Sequence, residues 1–168
     1  MKINSMKLIN SKKVIINTLV VIIIFLIDRF SKFYILDIAE VHGSVDVYIS
    51  DFINFYLVWN TGIGFGLLSL DHNFFYNSLT CLIVLINVFI VYLIITAKDY
   101  RAIFLSMLLG GSLGNLFDRI YYSAVPDFID FHINSFHWFI FNVADIFISL
   151  GIFCLIVAEI VINKKNNG

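Results

Sequence analysis

GGSLGNLFDRIYYSAVPDFIDFHINSFHWFIFNVAD, residues 110–145, sets Asn115, Asp118, Arg119, Asp127, Asp130, Asn142 and Asp145 within 36 positions, between two strongly apolar segments. The surroundings make this arrangement costly. A charged side chain at the centre of a bilayer costs from ~2.5 to well over ~10 kcal/mol, depending on the scale, so such groups seldom occur in membrane segments without a task. The chain as a whole is 60% hydrophobic and 14% charged, far from the roughly 25% charged content of soluble domains. It reads as an integral membrane protein. Its 168 residues leave room for about four spans of ~20 residues and one moderate loop, which argues for a single domain over 1–168. The net charge of -1 says nothing about partners, and no nucleic-acid partner is expected of such a membrane protein.

Outward from this stretch, the first span is expected at 14–36, behind Lys2, Lys7, Lys12 and Lys13. The opening has the charge pattern of a secretory signal, but no small-x-small cleavage site closes the apolar run, which passes instead into DRFSK. Asp28 and Lys32 stand at i,i+4 and share a helix face. A structural ion pair and a role at a site both remain open for them. Residues 37–73 carry five acids and no Lys or Arg. Within them VDVYIS and FINFYLVW are β-branched, aromatic and bounded by Gly, Asp and Asn, which predicts short strands. NTGIGFGLL, residues 60–68, has glycines that permit a turn and close backbone approach, and its apolar part suits the lipid headgroup level. Further spans are expected at 74–97, 102–122 and 139–162, with a second loop at 123–138.

Charge sets the orientation. Eight of the eleven basic residues precede span one, sit between spans two and three, or follow span four, and the loops 37–73 and 123–138 have none. Both termini are therefore expected in the cytoplasm and both large loops outside. In that frame Asp28, Lys32, Asn115, Asp118, Arg119, Asn142 and Asp145 all fall in the outer part of the membrane. Asp127 and Asn60 can fold onto the same layer from the loops. Gly110 and Gly114, four apart, would let another helix approach closely. Asp118 beside Arg119 is equally compatible with a plain intramembrane ion pair. His42, His72, His132 and His137 read as isolated loop residues without zinc-ligand spacing, and Cys81 and Cys154 as apolar filler, so no metal and no cofactor are expected. Ser31 and Lys32 are adjacent and cannot face each other as a dyad. A transporter would spread its acids through the membrane depth, whereas these gather on one side, and a purely structural subunit leaves the paired aspartates unexplained.

DRFSK (28–32), NTGIGFG (60–66), GGSLGNLFDR (110–119), VPDFIDF (125–131) and FNVADIFIS (141–149) together resemble, in order and spacing, the motif blocks of the signal peptidase II family. That resemblance implies a fold of four transmembrane helices with a small extracytoplasmic β-rich lobe and an interfacial helix. It implies an aspartic endopeptidase of the bacterial inner membrane, working as a monomer, with its active site toward the outer leaflet. The substrate implied is a membrane-embedded prolipoprotein cut before its diacylglyceryl-modified cysteine. It marks Asp127 and Asp145 as catalytic, and Asp28, Lys32, Asn60, Gly62, Asn115, Asp118, Arg119, Asn142 and Ala144 as the polar shell. Ile63, Gly64, Pro126 and the Phe139-Ile140 pair depart from the family pattern and bear on pocket shape. Two close, partly desolvated carboxylates resist double ionisation and share a proton. One can then activate water while the other polarises the scissile carbonyl.

Overall fold

The computed structural model describes residues 2–62, 73–97, 99–134 and 136–166. Four helices and four strands follow in the order α1 (Lys2–His42), β1 (Asp46–Ser50), β2 (Ile53–Asn60), α2 (Asn73–Thr96), α3 (Arg101–Tyr122), β3 (Val125–Ile133), β4 (Phe136–Phe141) and α4 (Val143–Asn166). Among the described residues three segments are long and apolar enough to cross a membrane: Ser11–His42, Tyr76–Thr96 and Val143–Val161. Their outward faces are lined by large apolar side chains such as Leu19, Leu85, Val88, Phe153 and Ile160, all more than half the way out or close to it, as lipid-facing surfaces require.

α3 differs from the others because it is the helix around which they pack, touching α1, α2 and α4. Its sequence explains this position. Gly110 and Gly114 both face α1: a Cβ on Gly110 would lie 2.9 Å from Ile24 Cβ, and one on Gly114 would lie 2.5 Å from Asp28 Oδ2. Without side chains at these two positions the backbones can close up. Leu105 and Leu109 bury against Ile90 of α2, with Val21 of α1 and Leu155 of α4 completing the cluster. At its far end α3 stops on Ser123, whose left-handed φ of 57° turns the chain into β3.

The strands form one antiparallel sheet in the order β1-β2-β3-β4. β1 and β2 fall in the β-branched and aromatic segments VDVYIS and FINFYLVW, where short strands were predicted. β3 and β4 correct the expectation that 123–138 is a loop and that the last span begins at 139. The hairpin claims residues up to Phe141, and α4 starts at Val143. VPDFIDF and FHWFIF are rich in aromatic and β-branched residues, which favours strand pairing, and the Ile129–Phe141 register rewards it with a row of ladder bonds. The first helix is also longer than the expected 14–36, running through both flanks. Its continuation to His42 packs Ile35, Ile38 and Ala39 against Val45 and Phe128, fastening the sheet to the helical body. The expected interfacial helix, with Ile63 and Gly64, falls in 63–72, outside the described residues.

Candidate active site

FNVAD explains itself locally before it meets anything else. Asn142 precedes α4, and its Oδ1 accepts the Asp145 backbone N–H at 3.2 Å, while Asp145 Oδ2 accepts the Asn142 backbone N–H at 3.1 Å. This is a reciprocal capping box, which satisfies two donors that a helix start leaves unpaired. It also orients the Asp145 carboxylate. Its other oxygen, Oδ1, accepts Asn115 Nδ2 of α3 at 2.8 Å.

Asp127 reaches the same place from the sheet. Pairing Ile129 with Phe141 returns the chain beside Asp127, so that Asn142 Nδ2 donates to Asp127 Oδ1 at 2.6 Å. From β2, Asn60 Nδ2 donates to Asp127 Oδ2 at 2.9 Å. Asn142 thus binds one carboxylate with its side-chain amide and the other with its backbone. Asp127 is 3% exposed, and burial pushes its carboxyl up to about 6, with the neighbouring Asp145 charge acting in the same direction and the Asn60 and Asn142 amides opposing it. Asp145 is only partly buried, and a cavity of about 320 Å³ lined by Phe139, Phe141, Ile146, Ser149 and Leu150 opens against it. The Phe139 of the departing Phe139-Ile140 pair therefore lines this cavity.

A layer of ions supports the pair. Lys32 Nζ donates to Asp28 at 3.0 Å, Asp118 at 2.7 Å and Asn115 Oδ1 at 2.9 Å. Arg29 bridges Asp28 at 2.8 Å and Asp118 at 2.5 Å. Two cations and two anions balance, and Asp28, Lys32 and Asp118 are sealed from solvent. Asp28 also accepts the Ala144 backbone N–H at 3.0 Å, an anion placed at the positive end of α4. Ala144 itself is fully buried. The two readings of Asp28 and Lys32 left open above merge: Lys32 is a buried ion partner that also holds Asn115, the donor to Asp145. Arg119 takes no part in that layer, and its nearest neighbour in sequence is not its partner. Its Nη2 donates to the Gly62 carbonyl at 2.7 Å, while Gly62 N–H donates to Asn60 Oδ1 at 2.9 Å. Arg119 thereby holds the turn that presents Asn60.

Every one of the eleven positions singled out from sequence lies in this connected set. Sequence reasoning missed Arg29, whose only signal was its place inside DRFSK, and Tyr76, whose hydroxyl donates to the Arg119 carbonyl at 3.0 Å and whose ring lies 6.0 Å beneath its guanidinium. It also took the histidines as isolated. His132 and His137 are instead cross-strand partners, and both rings approach Asp130. The signal for this is the pair of aromatic and β-branched runs that flank Asn134, which a loop assignment of 123–138 hides.

The fold and the site define a mostly helical membrane protein in which a small sheet brings the buried carboxylate of Asp127, on β3, to the partly buried carboxylate of Asp145 in the first turn of α4. The family model described as signal peptidase (SPase) II matches residues 20–161. A lipoprotein signal peptidase of Pelagibacter ubique is 49% identical over 95% of this chain and 96% of its own length, and one of Anaplasma phagocytophilum is 37% identical over 89% and 94%. A solved structure described as a bacterial membrane enzyme superimposes with a TM-score of 0.74 at 25% identity, over 90% of this chain and 91% of that one. This chain belongs to the signal peptidase II family and is a peptidase. Its membrane-length helices and this family fit a protein of the bacterial inner membrane.

Proposed function

We propose that the chain is an intramembrane aspartic endopeptidase that removes the signal peptide from prolipoproteins, cutting before the diacylglyceryl-modified cysteine of the lipobox. The observation that carries this reading is the convergence of Asp127 and Asp145 on Asn142. Water placed between two such carboxylates meets an ionised oxygen that can take its proton. The partner, still protonated, polarises the scissile carbonyl and then serves the leaving amine. The apolar cavity beside Asp145 suits an aliphatic side chain or acyl chain that stays in lipid. α3 acts as a fourth span, its ionic groups tolerated because they face the bundle interior and pair there. The partners are the bilayer and a lipidated precursor. Purified protein incubated with lipidated and unlipidated prolipoprotein tests the reading on a gel: only the lipidated form should shift, and equal cleavage of both would remove the lipid from substrate recognition.

The pH profile follows from Asp127. A proton shared by the pair is present below about pH 6 and is lost as pH rises through that value, so the basic limb of kcat/KM should begin there. Asn60 stabilises the ionised carboxylate, so Asn60→Ala should raise the Asp127 pKa and move the basic limb to higher pH. A limb that stayed in place or moved down would remove Asn60 from control of the proton.

Orientation rests on the loop charges. A reporter fused after Lys165 is expected in the cytoplasm, and a cysteine placed at Ser50, at the end of β1, should react with a membrane-impermeant maleimide added outside. Labelling of Ser50→Cys only after the cells are broken would invert the proposed placement.

A further inference from the structure

The β3–β4 hairpin carries a second cluster of polar side chains that the peptidase chemistry does not use. Asp130 lies three residues beyond Asp127. Its Oδ2 is 2.7 Å from His137 Nδ1 and 3.7 Å from His132 Nδ1, and the ligand atoms of the three residues all lie within 4.8 Å of one another. The cross-strand pairing of His132 with His137 holds the rings 5.4 Å apart. A loop would not fix such a spacing, whereas a ladder does.

The cluster is incomplete as it stands. Asp130 is 2% and His132 7% exposed, yet Asp130 Oδ1 and His132 Nδ1 are buried without a hydrogen-bond partner among the described residues. Leaving such groups unpaired in a buried place is costly, because each has lost water and gained no partner. Both histidine nitrogens aim at one carboxylate oxygen, and that oxygen can accept well from only one of them at the distances seen. Several lone pairs therefore converge on a small volume, and a cation is the species that satisfies them together. Zinc bonds to histidine nitrogen at ~2.0–2.1 Å and to carboxylate oxygen at ~2.0–2.2 Å in tetrahedral sites, which places ligand atoms about 3.3 Å apart. The two observed separations bracket that value. Two imidazoles and one carboxylate favour zinc, copper or nickel over magnesium or calcium, which take oxygen ligands. The His137 side chain is 57% exposed, so the ion has a route in and a water can complete its coordination.

We propose that Asp130, His132 and His137 form a binding site for a divalent transition ion of the zinc type, which ties β4 to β3 and is separate from the Asp127 and Asp145 pair. The ion would pin the hairpin whose first strand carries Asp127 and whose second leads directly into Asn142. The inference does not depend on the peptidase reading.

Equilibrium dialysis of the full-length protein in micelles against zinc chloride tests it, with cobalt(II) as a spectroscopic probe. About one zinc per chain is expected, together with the visible absorption of low-coordinate cobalt. His137→Ala and His132→Ala should each weaken zinc binding at least tenfold, whereas His42→Ala, at the exposed end of α1, should not. Because His137 is largely exposed, His137→Ala keeps the test valid even where His132→Ala misfolds, and the melting curve of the metal-free variant checks this. Asp127→Asn should retain the zinc. The proposal is overturned by zinc binding that both histidine variants leave unchanged, by loss of zinc in Asp127→Asn, by magnesium competing at equal concentration, or by no binding at all.

Discussion

Asp127→Asn and Asp145→Asn should each reduce cleavage of a lipidated prolipoprotein by roughly 10³-fold or more, the upper range for loss of a positioned acid or base, while expression and membrane insertion stay near normal. The asparagine amide matches the carboxylate in shape, so the structural cost is small, but it neither takes a proton from water nor shares one with its partner. The amide disturbs both positions in the same way. At 145 Oδ2 accepts the Asn142 backbone N–H and Oδ1 accepts Asn115 Nδ2, so the new NH₂ group must face one of these donors. At 127 both oxygens accept amide donors, from Asn142 and Asn60, so the new NH₂ group must face one of them. Both variants should therefore lower the melting temperature modestly and by a similar amount, and both should be inactive. Turnover in a single-turnover gel assay within tenfold of the parent for either variant would remove that residue from the catalytic pair.

Lys32→Met should be the most destabilising single change in the chain. Its ammonium is in contact with Asp28, Asp118 and Asn115 inside a site closed to solvent. Methionine has similar length, so little packing is lost, but two buried carboxylates are left with Arg29 alone. Removing one partner of a buried ion pair typically costs roughly 3–5 kcal/mol, because the remaining charge is stranded in a medium of low dielectric. Most of the variant should fail to melt cooperatively or should melt far below the parent in micelles. The compensating test is Lys32→Met combined with Asp118→Asn, which restores the balance to one anion and one cation. This double variant should recover a clear part of the lost stability, a coupling that independent sites would not show. If the double variant is no more stable than Lys32→Met alone, charge balance is not what holds α1 to α3.

The relation between these predictions and the sequence is uneven along the chain. Helical periodicity alone places Asp28 over Lys32, and Asn115 over Asp118 and Arg119, because residues three and four apart share a face whatever the rest of the protein does. The apolar runs mark where α1, α2 and α4 lie, though α1 extends well beyond the expected 14–36, and Gly110 and Gly114 mark where a neighbouring helix can approach. The membrane character, the strands β1 and β2 and the family resemblance of the motif blocks are likewise contained in the chain itself. Asn142 and Asp145, three apart at the head of an apolar run, carry a capping signal that puts the helix start at Val143 rather than at 139.

What only the tertiary structure decided is the partner of each charge and the role of the segment between α3 and α4. Asp118 is bonded to Lys32 and Arg29 of another helix rather than to the adjacent Arg119, which turns instead to the Gly62 carbonyl. Coulomb attraction in a low-dielectric interior depends on distance in space, and sequence neighbours on a helix point about 100° apart. The β3–β4 hairpin was hidden because Asp127, Asp130, His132, Asn134 and His137 interrupt its aromatic run, which gives 123–138 the composition of a loop, while residues 139–141 merge with the apolar run that follows. Pairing across that hairpin, a long-range event, is what delivers Asp127 to Asn142 and sets His132 opposite His137 beside Asp130.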